Sequence, residues 1–384
     1  MGEPGTPPRI SWFGHAAGRR ADGLSSYSAT VVAGLQRRGC SLHFHHAALD
    51  GDRVPAGIEG AVAWPAWRFK TVTLPQPGFR AALRRRLARE RPDIVHCSLS
   101  FSLRDGLLAQ AAHEVGAAAV VTFHLPFGRP RSARGRALQA LYRFWAPRLR
   151  AYDRVIVFSP EQRARLTAAG VAPERCVVIP NAVDTATFCP GPSDLRAGPL
   201  RGAGLVIGYA GRLDPEKRVE QLLQAFTRAT LPPDTVLLLA GDGQGVRTVE
   251  RAAAASRRVV YLGRLDTEAA LVAFWRAVDC FCLPSTAEGL SLALLEAMAC
   301  GCAVLATPMA GAAVAGAGGR VLAPGGGVAE LAAALTELCR DPAEVSRLGA
   351  LARDRAVRHH GVEPMLDQLL RVYRLGRRPG DGAG

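Results

Sequence analysis

The chain has 384 residues, of which 48% are hydrophobic and 21% are charged, and its formal net charge is +15. This apolar content excludes a disordered chain, and no apolar run reaches the roughly 18 residues that would predict a membrane-spanning helix. The length predicts two domains, each large enough to bury its own core.

Short apolar segments alternate with helical segments along the chain, which predicts parallel sheets covered on both sides. A Pro- and Gly-rich linker is predicted at 189–204, the last helix at about 363–375, and a disordered tail after Gly376. The strands are predicted at 10–14, 94–98, 119–124, 155–159 and 177–180 in the first half, and at 206–210, 236–240, 259–263, 280–284 and 303–307 in the second.

The N-terminal residues and the cysteines predict where in the cell the protein is located and whether it contains a structural metal. Residues 1–8 lack a charged start followed by an apolar segment, so we expect no export and a cytoplasmic protein. The nine cysteines form an odd set, and several, such as Cys97, fall in strand-like runs that suit a buried thiol. Residues 280–282 and 300–302 lack the two-residue spacer of zinc knuckles, so no structural metal is expected.

Three polar motifs could indicate other chemistry. Asp50-Gly51-Asp52 has the spacing of a metal-binding carboxylate pair, but its Gly-rich turn favours a loop. His43, His45 and His46 could bind a metal, yet the alternation in this segment predicts a strand with one polar face. The glycines of 241–245 do not complete the dinucleotide fingerprint and no acidic ribose partner follows, so NAD is disfavoured.

The positive charge is concentrated in the first half of the chain. Residues 1–195 carry 26 basic and 14 acidic side chains, whereas residues 196–384 carry 22 and 19. Two Arg-rich helices, 79–91 and 129–150, hold much of the excess. In the second, Leu138, Leu141, Tyr142, Trp145 and Leu149 recur at helical spacing. That face could rest on an anionic membrane surface, but a core-facing helix with a solvated outer side is favoured. No recognised module accompanies the charge, which disfavours nucleic-acid binding.

Two glutamates, Glu288 and Glu296, lie eight positions apart where a strand turns into a helix. Free N–H groups and the positive dipole end at a helix start attract a phosphate. Each carboxylate could accept hydrogen bonds from a sugar, so the segment indicates a sugar-nucleotide site.

Two basic residues, Arg212 and Lys217, follow a predicted strand and open the next helix, so both should face the same site as Glu288. Only two of the 48 basic residues are lysines, and a compact ammonium suits a point-charge contact to phosphate. The alternative is a solvated residue at a helix start.

The Glu288 to Glu296 pattern, with the segment 297–307 after it, resembles the retaining glycosyltransferases of family 4. The likeness is dense from about Asn181 to Cys302 and thinner towards the N-terminus. Further matches stand in the order of that family at 22–24, 92–96, 122–124, 179–184, 208–217 and 240–243.

The resemblance implies the α/β fold class GT-B, in which two Rossmann-like doubly wound domains face a cleft. Residues 1–195 would be the acceptor-binding domain and 196–360 the nucleotide-sugar donor domain. Residues 361–384 would form a helix that crosses back to the N-terminal domain, followed by the tail.

The resemblance also implies the roles of individual residues. Arg212, Lys217 and the backbone N–H groups around Leu290 and Ser291 would stabilise the leaving diphosphate. Glu288 would hold donor-sugar hydroxyls, Glu296 the ribose, and His124 the donor sugar or the reacting hydroxyl. The donor-binding set also includes Gly211, Gly289 and Gly23. Gly23 lets the backbone approach the diphosphate. Arg218 departs from the glycine that is common after this lysine in the family.

The implied activity is metal-independent, cofactor-free retaining transfer of a sugar from a UDP- or GDP-sugar to a lipid-linked, glycan or small-molecule acceptor. The enzyme would be cytoplasmic or peripheral on the inner face of the cell membrane. Two alternatives stay open: a sugar-nucleotide epimerase of the same shape, and an inactive nucleotide-sugar-binding subunit. The intact set of Arg212, Lys217, Glu288 and Glu296 argues against the second.

Overall fold

The structure is a computed structural model that describes residues 7–15, 23–48, 54, 58–69, 72–99, 105–125, 127–128, 133–288, 291–308, 312–322 and 326–376. The chain divides into two compact units. The first unit comprises residues 1–125, 136–181 and 362–384, and the second comprises residues 126–135 and 182–361.

Strands and helices alternate along most of the described chain. The strands are β1 (Ile10–Phe13), β2 (Leu42–Ala48), β3 (Ala61–Phe69), β4 (Val72–Pro75), β5 (Ile94–Ser98), β6 (Ala118–Thr122), β7 (Phe127–Gly128), β8 (Arg154–Val157), β9 (Cys176–Val178), β10 (Leu205–Ala210), β11 (Thr235–Ala240), β12 (Val259–Tyr261), β13 (Cys280–Leu283), β14 (Ala287–Glu288), β15 (Ala303–Ala306) and β16 (Gly319–Val321). The helices are α1 (Gly23–Arg37), α2 (Phe79–Glu90), α3 (Asp105–Glu114), α4 (Ala133–Leu149), α5 (Pro160–Ala168), α6 (Asp194–Ala197), α7 (Val219–Arg228), α8 (Val246–Ala255), α9 (Glu268–Ala277), α10 (Leu292–Ala299), α11 (Ala312–Ala315), α12 (Val328–Cys339), α13 (Pro342–His359) and α14 (Val362–Gly376).

Each unit contains one large sheet. The first has the strand order β4-β3-β2-β1-β5-β6-β8-β9, in which β3 and β4 pair antiparallel and the other described pairs are parallel. The second has the order β12-β11-β10-β13-β15-β16 and is parallel throughout. Central strands such as β5, β10 and β13 are buried along their whole length, because helices cover both faces of a parallel sheet. This is the predicted architecture.

The last helix, α14, packs against α1 and β6 of the first unit, as the resemblance implied. At its start, Arg38 bonds to Glu363 at 2.9 Å and to Asp367. Residues beyond Gly376, where the tail was expected, lie outside the described residues.

The two Arg-rich helices turn apolar faces to the core. In α4, Tyr142, Trp145 and Leu149 are buried, whereas Leu141 and Phe144 are 38% and 47% exposed. The core-facing interpretation therefore accounts for most of this face. In α2, Phe79, Leu83 and Leu87 are buried, and Arg80 and Arg84 on the outer side pair with Glu114.

The polar side chains of β2 lie partly in the interior. The segment is a strand, as predicted, and its polar face is covered at His45, which is fully buried. Its Nε2 lies 3.0 Å from a carboxylate oxygen of Glu90, and its Nδ1 accepts the indole N–H of Trp64 at 3.0 Å. Residues 50–52 lie outside the described residues.

The segment predicted as a linker packs within the second unit. Ser193 caps α6 and donates to the carbonyl of Ala273 at 2.6 Å, and Arg196 pairs with Asp279 at 2.6 Å. Within the described residues, no helix has both the length and the apolar character needed to cross a bilayer.

Candidate functional site

The loop that follows β10 holds two of the predicted basic residues. Arg212 is exposed, and its guanidinium pairs with Asp214 and, at 2.9 Å, with Glu216. Pro215–Lys217 forms a 3₁₀ turn that the Lys217 N–H closes on the carbonyl of Asp214 at 2.8 Å. The turn lies beyond the carboxyl end of a central parallel strand, which is where α/β sheets place their ligand sites.

The loop that follows β11 packs directly on this turn, and glycines permit the approach. A Cβ on Gly241 would come within 1.8 Å of the Gly211 carbonyl oxygen, and one on Gly243 within 2.9 Å of the Leu213 nitrogen. Gly211 and Gly241 also have φ values of 151° and 140°, which side chains rarely adopt. The glycines of residues 241–243 thus serve loop packing around Arg212.

The loop that follows β13 is hydrogen-bonded to the same turn. The carbonyl of Glu216 accepts the Thr286 N–H at 2.9 Å and the Thr286 hydroxyl at 3.2 Å. Thr286 stands two residues before Glu288, so the turn that carries Lys217 is fixed beside the segment that leads into the first glutamate. This is the central relationship of the candidate site.

Glu288 itself lies in the short strand β14. This strand pairs antiparallel with β7, in the register Ala287 with Gly128 and Glu288 with Phe127. The pairing fixes the backbone of Glu288 at this point. The Glu288 side chain, and the predicted donor-binding residues Gly289 and Leu290, lie outside what the structure describes.

Helix α10 begins next to this segment. Ser291 is its N-cap, and the Ser291 hydroxyl oxygen accepts the Leu294 N–H at 3.4 Å. Glu296 lies in the second turn, where one carboxylate oxygen, Oε2, accepts the indole N–H of Trp275 at 3.1 Å. Burial raises the pKa of Glu296 to about 7, against the opposing effect of the Trp275 hydrogen bond.

His124 belongs to the first unit and follows β6. Its Nε2 lies 2.8 Å from the hydroxyl of Ser98, and its ring meets Tyr27 edge-on at 4.8 Å between centroids. Burial lowers the pKa of His124 well below its usual value, and the nearby His15 and His96 lower it further, so the imidazole is neutral. Gly23, also in the first unit, is the first residue of α1 and is exposed.

The structure therefore brings Gly211, Arg212, Lys217 and the approach to Glu288 together at one edge of the second sheet, with Ser291 and Glu296 on the helix that follows. His124 and Gly23 lie in the other unit. Sequence reasoning missed Thr286, Trp275 and Ser98, because their contacts join segments that are remote in sequence. Trp275 in particular stands in a helical segment where an aromatic residue predicts only core packing.

Comparison with known families gives two matches. A family model described as "Glycosyltransferase Family 4" matches residues 21–187, and one described as "Glycosyl transferases group 1" matches residues 204–341.

Two curated relatives are similar at about 30% identity. The "MMP alpha-(1->4)-mannosyltransferase" of Mycolicibacterium hassiacum is 31% identical over 335 residues, which cover 79% of this chain and 76% of that protein. The "D-inositol 3-phosphate glycosyltransferase" of Kribbella flavida is 30% identical over 241 residues, which cover 58% of this chain. The match spans only 57% of the length of the Kribbella protein.

Solved structures resemble nearly all of the chain in fold. The structure of Anabaena Alr3699/HepE in complex with UDP has a TM-score of 0.77 at 19% identity and covers 96% of this chain and 100% of its own. Sucrose-phosphate synthase from Thermosynechococcus elongatus has a TM-score of 0.77 at 21% identity, with coverage of 96% and 98%. These likenesses confirm the predicted GT-B fold class.

Proposed function

Because this chain belongs to glycosyltransferase family 4, we propose that it is a retaining transferase that moves a sugar from a UDP- or GDP-sugar to an acceptor. The observation that supports this most directly is the double hydrogen bond from Thr286 to the Glu216 carbonyl. It holds the Arg212 and Lys217 turn against the segment that enters Glu288. Cationic groups and a sugar-binding carboxylate would thereby act on one ligand.

Departure of the nucleoside diphosphate is the chemical step that the protein catalyses. Cleavage of the anomeric bond leaves additional negative charge on the phosphate oxygens. Arg212, Lys217 and the N–H groups at the start of α10, near Leu290 and Ser291, stabilise that charge. Asp214 and Glu216 orient the guanidinium of Arg212. Because fixed cations neutralise the diphosphate, the reaction needs no metal ion.

The remaining residues hold the two substrates. Glu288 accepts hydrogen bonds from hydroxyls of the donor sugar, and Glu296 accepts them from hydroxyls of the ribose. The backbone can approach the donor closely at Gly211, Gly289 and Gly23. His124 meets the donor sugar or the attacking hydroxyl as a neutral imidazole, which agrees with the direction of its pKa shift. Transfer takes place on one face of the sugar, so the anomeric configuration is retained without a protein nucleophile.

The acceptor binds the first unit and the donor binds the second unit, in which residues 182–195 are also included. The acceptor is lipid-linked, a glycan or a small molecule. The excess of basic side chains in the first half favours an acceptor that carries negative charge. One relative, from Corynebacterium glutamicum, is named a "GDP-mannose-dependent monoacylated alpha-(1-6)-phosphatidylinositol monomannoside mannosyltransferase". An acceptor of lipid character would draw the enzyme to the inner face of the cell membrane.

The test is incubation with a panel of sugar nucleotides, with and without candidate acceptors, followed by analysis of the nucleotide products. A transferase releases nucleoside diphosphate slowly from its own donor without acceptor and faster with acceptor. An isomerised donor would support the epimerase instead, and an unchanged donor the binding subunit. The same reaction with a chelator added tests the independence from metal.

A further inference from the structure

Trp275 is held rigidly beside the second glutamate of the candidate site. It lies in α9, is fully buried, and its ring contacts Phe274 and Phe281 edge-on at centroid distances of 4.9 and 5.0 Å. Aromatic packing of this kind fixes the orientation of the indole. Its N–H points at Oε2 of Glu296, 3.1 Å away.

Within the described residues, the carboxylate of Glu296 is bonded at one oxygen. Trp275 is the described hydrogen-bond partner of its carboxylate, and the bond goes to Oε2. The residue as a whole is only partly buried, and among the described residues Oε1 is not one of the fully buried side-chain atoms without a partner, so it is open to a ligand. A carboxylate with one oxygen anchored and the other accessible has a defined direction, which suits recognition of a hydroxyl pair.

We propose that Trp275 is a positioning residue of the donor site, which anchors Oε2 of Glu296 and thereby directs Oε1 towards the 2′- and 3′-hydroxyls of the donor ribose. This inference rests on the proposed function, in which Glu296 binds the ribose. Trp275 itself does not touch the nucleotide. Its effect is on the preference for a nucleotide with ribose hydroxyls over one without them.

The charges around Glu296 give the arrangement a dependence on pH. Burial raises the pKa of Glu296 to about 7, the Trp275 hydrogen bond opposes that rise, and Glu268 of α9 adds to it. Cys300, further along α10, is a neutral thiol because burial raises its pKa to about 12. A charged carboxylate accepts hydroxyl hydrogen bonds more strongly than a neutral one. Preference for ribose therefore increases as the pH rises through about 7, and loss of the indole N–H moves that transition to higher pH.

The experiment measures binding of UDP and GDP, each beside its 2′,3′-dideoxy analogue, by calorimetry across the pH range around neutrality. The ratio of the two dissociation constants reports the ribose preference, because titration of the phosphates affects both ligands alike. For the nucleotide that binds, we expect the wild-type preference to fall about tenfold in Trp275→Phe at neutral pH, the loss of one charge-assisted hydrogen bond. The matched control, Phe274→Leu, removes one of the two aromatic contacts of Trp275 but keeps the indole donor, and should retain the preference.

The two proposals fail in different ways. If neither wild type nor Glu296→Gln distinguishes ribose from dideoxyribose, the role of Glu296 in the proposed function is wrong. If Glu296→Gln loses the preference but Trp275→Phe keeps both its size and its pH transition, only the positioning role is overturned. If Trp275→Phe folds poorly, a measurement on the wild-type protein still tests the proposal. The indole N–H resonance of Trp275 should titrate near pH 7 in wild type and not in Glu296→Gln, and a resonance that does not titrate in wild type contradicts the proposal.

Discussion

The hydroxyl of Tyr373 lies 2.8 Å from Nδ1 of His96, and this bond joins the last helix of the chain to a central strand of the first sheet. His96 is fully buried, stacks on Trp12 at 3.9 Å, and contacts the Thr122 hydroxyl through Nε2 at 2.9 Å. Burial lowers the pKa of His96 to about 3, so the imidazole is neutral and needs a partner at each nitrogen.

Replacement of Tyr373 by Phe removes one of these partners. A buried polar atom left without a hydrogen bond costs about 1–3 kcal/mol, so we expect α14 and β5 to open more often. Hydrogen exchange of peptides from these two elements should be faster in Tyr373→Phe. In the matched control Tyr261→Phe, which removes a hydroxyl that bonds to Gly241 in the second unit, those peptides should exchange as in wild type. Equal exchange in Tyr373→Phe would contradict the role of this bond.

Lys217→Ala and Glu288→Ala should each lower turnover sharply while leaving the fold intact. Removal of one group that stabilises developing charge typically costs about 10²–10³ in kcat. Lys217→Arg keeps the charge but not the compact ammonium, and we expect an intermediate loss. Steady-state kinetics with the donor found by the panel, together with circular dichroism, provides the measurement. Arg257→Ala, which removes an exposed cation elsewhere in the second unit, is the control. Near-normal turnover in either Ala variant would refute the role of that residue.

The His45 and Glu90 pair predicts loss of stability of the first unit in acid. Burial alone would raise the pKa of Glu90, but bonds from His45, Ser11 and Arg86 outweigh burial and hold the pKa at about 2, below its ordinary 4.5. The folded state therefore binds fewer protons than the unfolded chain. The stabilisation is present above about pH 4.5 and is lost as the pH falls towards 2. Burial also lowers the pKa of His45, which acts in the same direction.

Denaturant unfolding at a series of pH values checks this. The free energy of unfolding of the first unit should fall below about pH 4.5 in wild type and fall less steeply in Glu90→Gln, which has no charge to lose. The control Glu344→Gln alters an exposed pair with Arg347, and exposed pairs contribute little. If the free energy of unfolding depends on pH identically in wild type and in Glu90→Gln, the proposed contribution of Glu90 is wrong.

Arg218 occupies a backbone position that favours glycine. Its φ is 57°, and it joins the Pro215–Lys217 turn to α7 while donating to the Gly326 carbonyl at 3.3 Å. Arg218→Gly relieves strain but loses this bond, so we expect little net change in stability. Arg218→Val should be less stable than Arg218→Gly by about 1–2 kcal/mol, because β-branched residues tolerate this region poorly. Denaturant unfolding of both variants measures the difference, and equal stabilities would contradict the strain.

The part of α4 that the core leaves exposed, at Phe144, offers a direct test of the membrane alternative. Phe144 is 47% exposed, and the guanidinium of Arg148 lies 3.9 Å from its ring centroid. An apolar side chain beside arginines suits the headgroup boundary. We expect Phe144→Glu to reduce flotation with anionic liposomes several-fold. Val357→Glu, at a 44% exposed position in the second unit, is the matched control. Equal partitioning of wild type into anionic and neutral liposomes would remove the membrane interpretation.

Periodicity and motif order were enough to determine two parallel α/β units, the helix at Ser291 and the family. Strand alternation and helix caps are local properties, and a buried parallel strand is apolar along its length, so these features can be read along the chain. Spacing and context likewise predicted one common site for Arg212, Lys217, Glu288 and Glu296.

Only the tertiary structure decided which groups meet. Three contacts depend on which strands are neighbours in the sheet. They are the hydrogen bonds from Thr286 to Glu216, the close packing of Gly241 against Gly211, and the hydrogen bond from Trp275 to Glu296. The buried pair of His45 and Glu90 is a further case, since alternation in β2 indicated a polar face but not that α2 and β3 cover it. Contacts between remote segments are set by sheet order and packing, which no local pattern encodes.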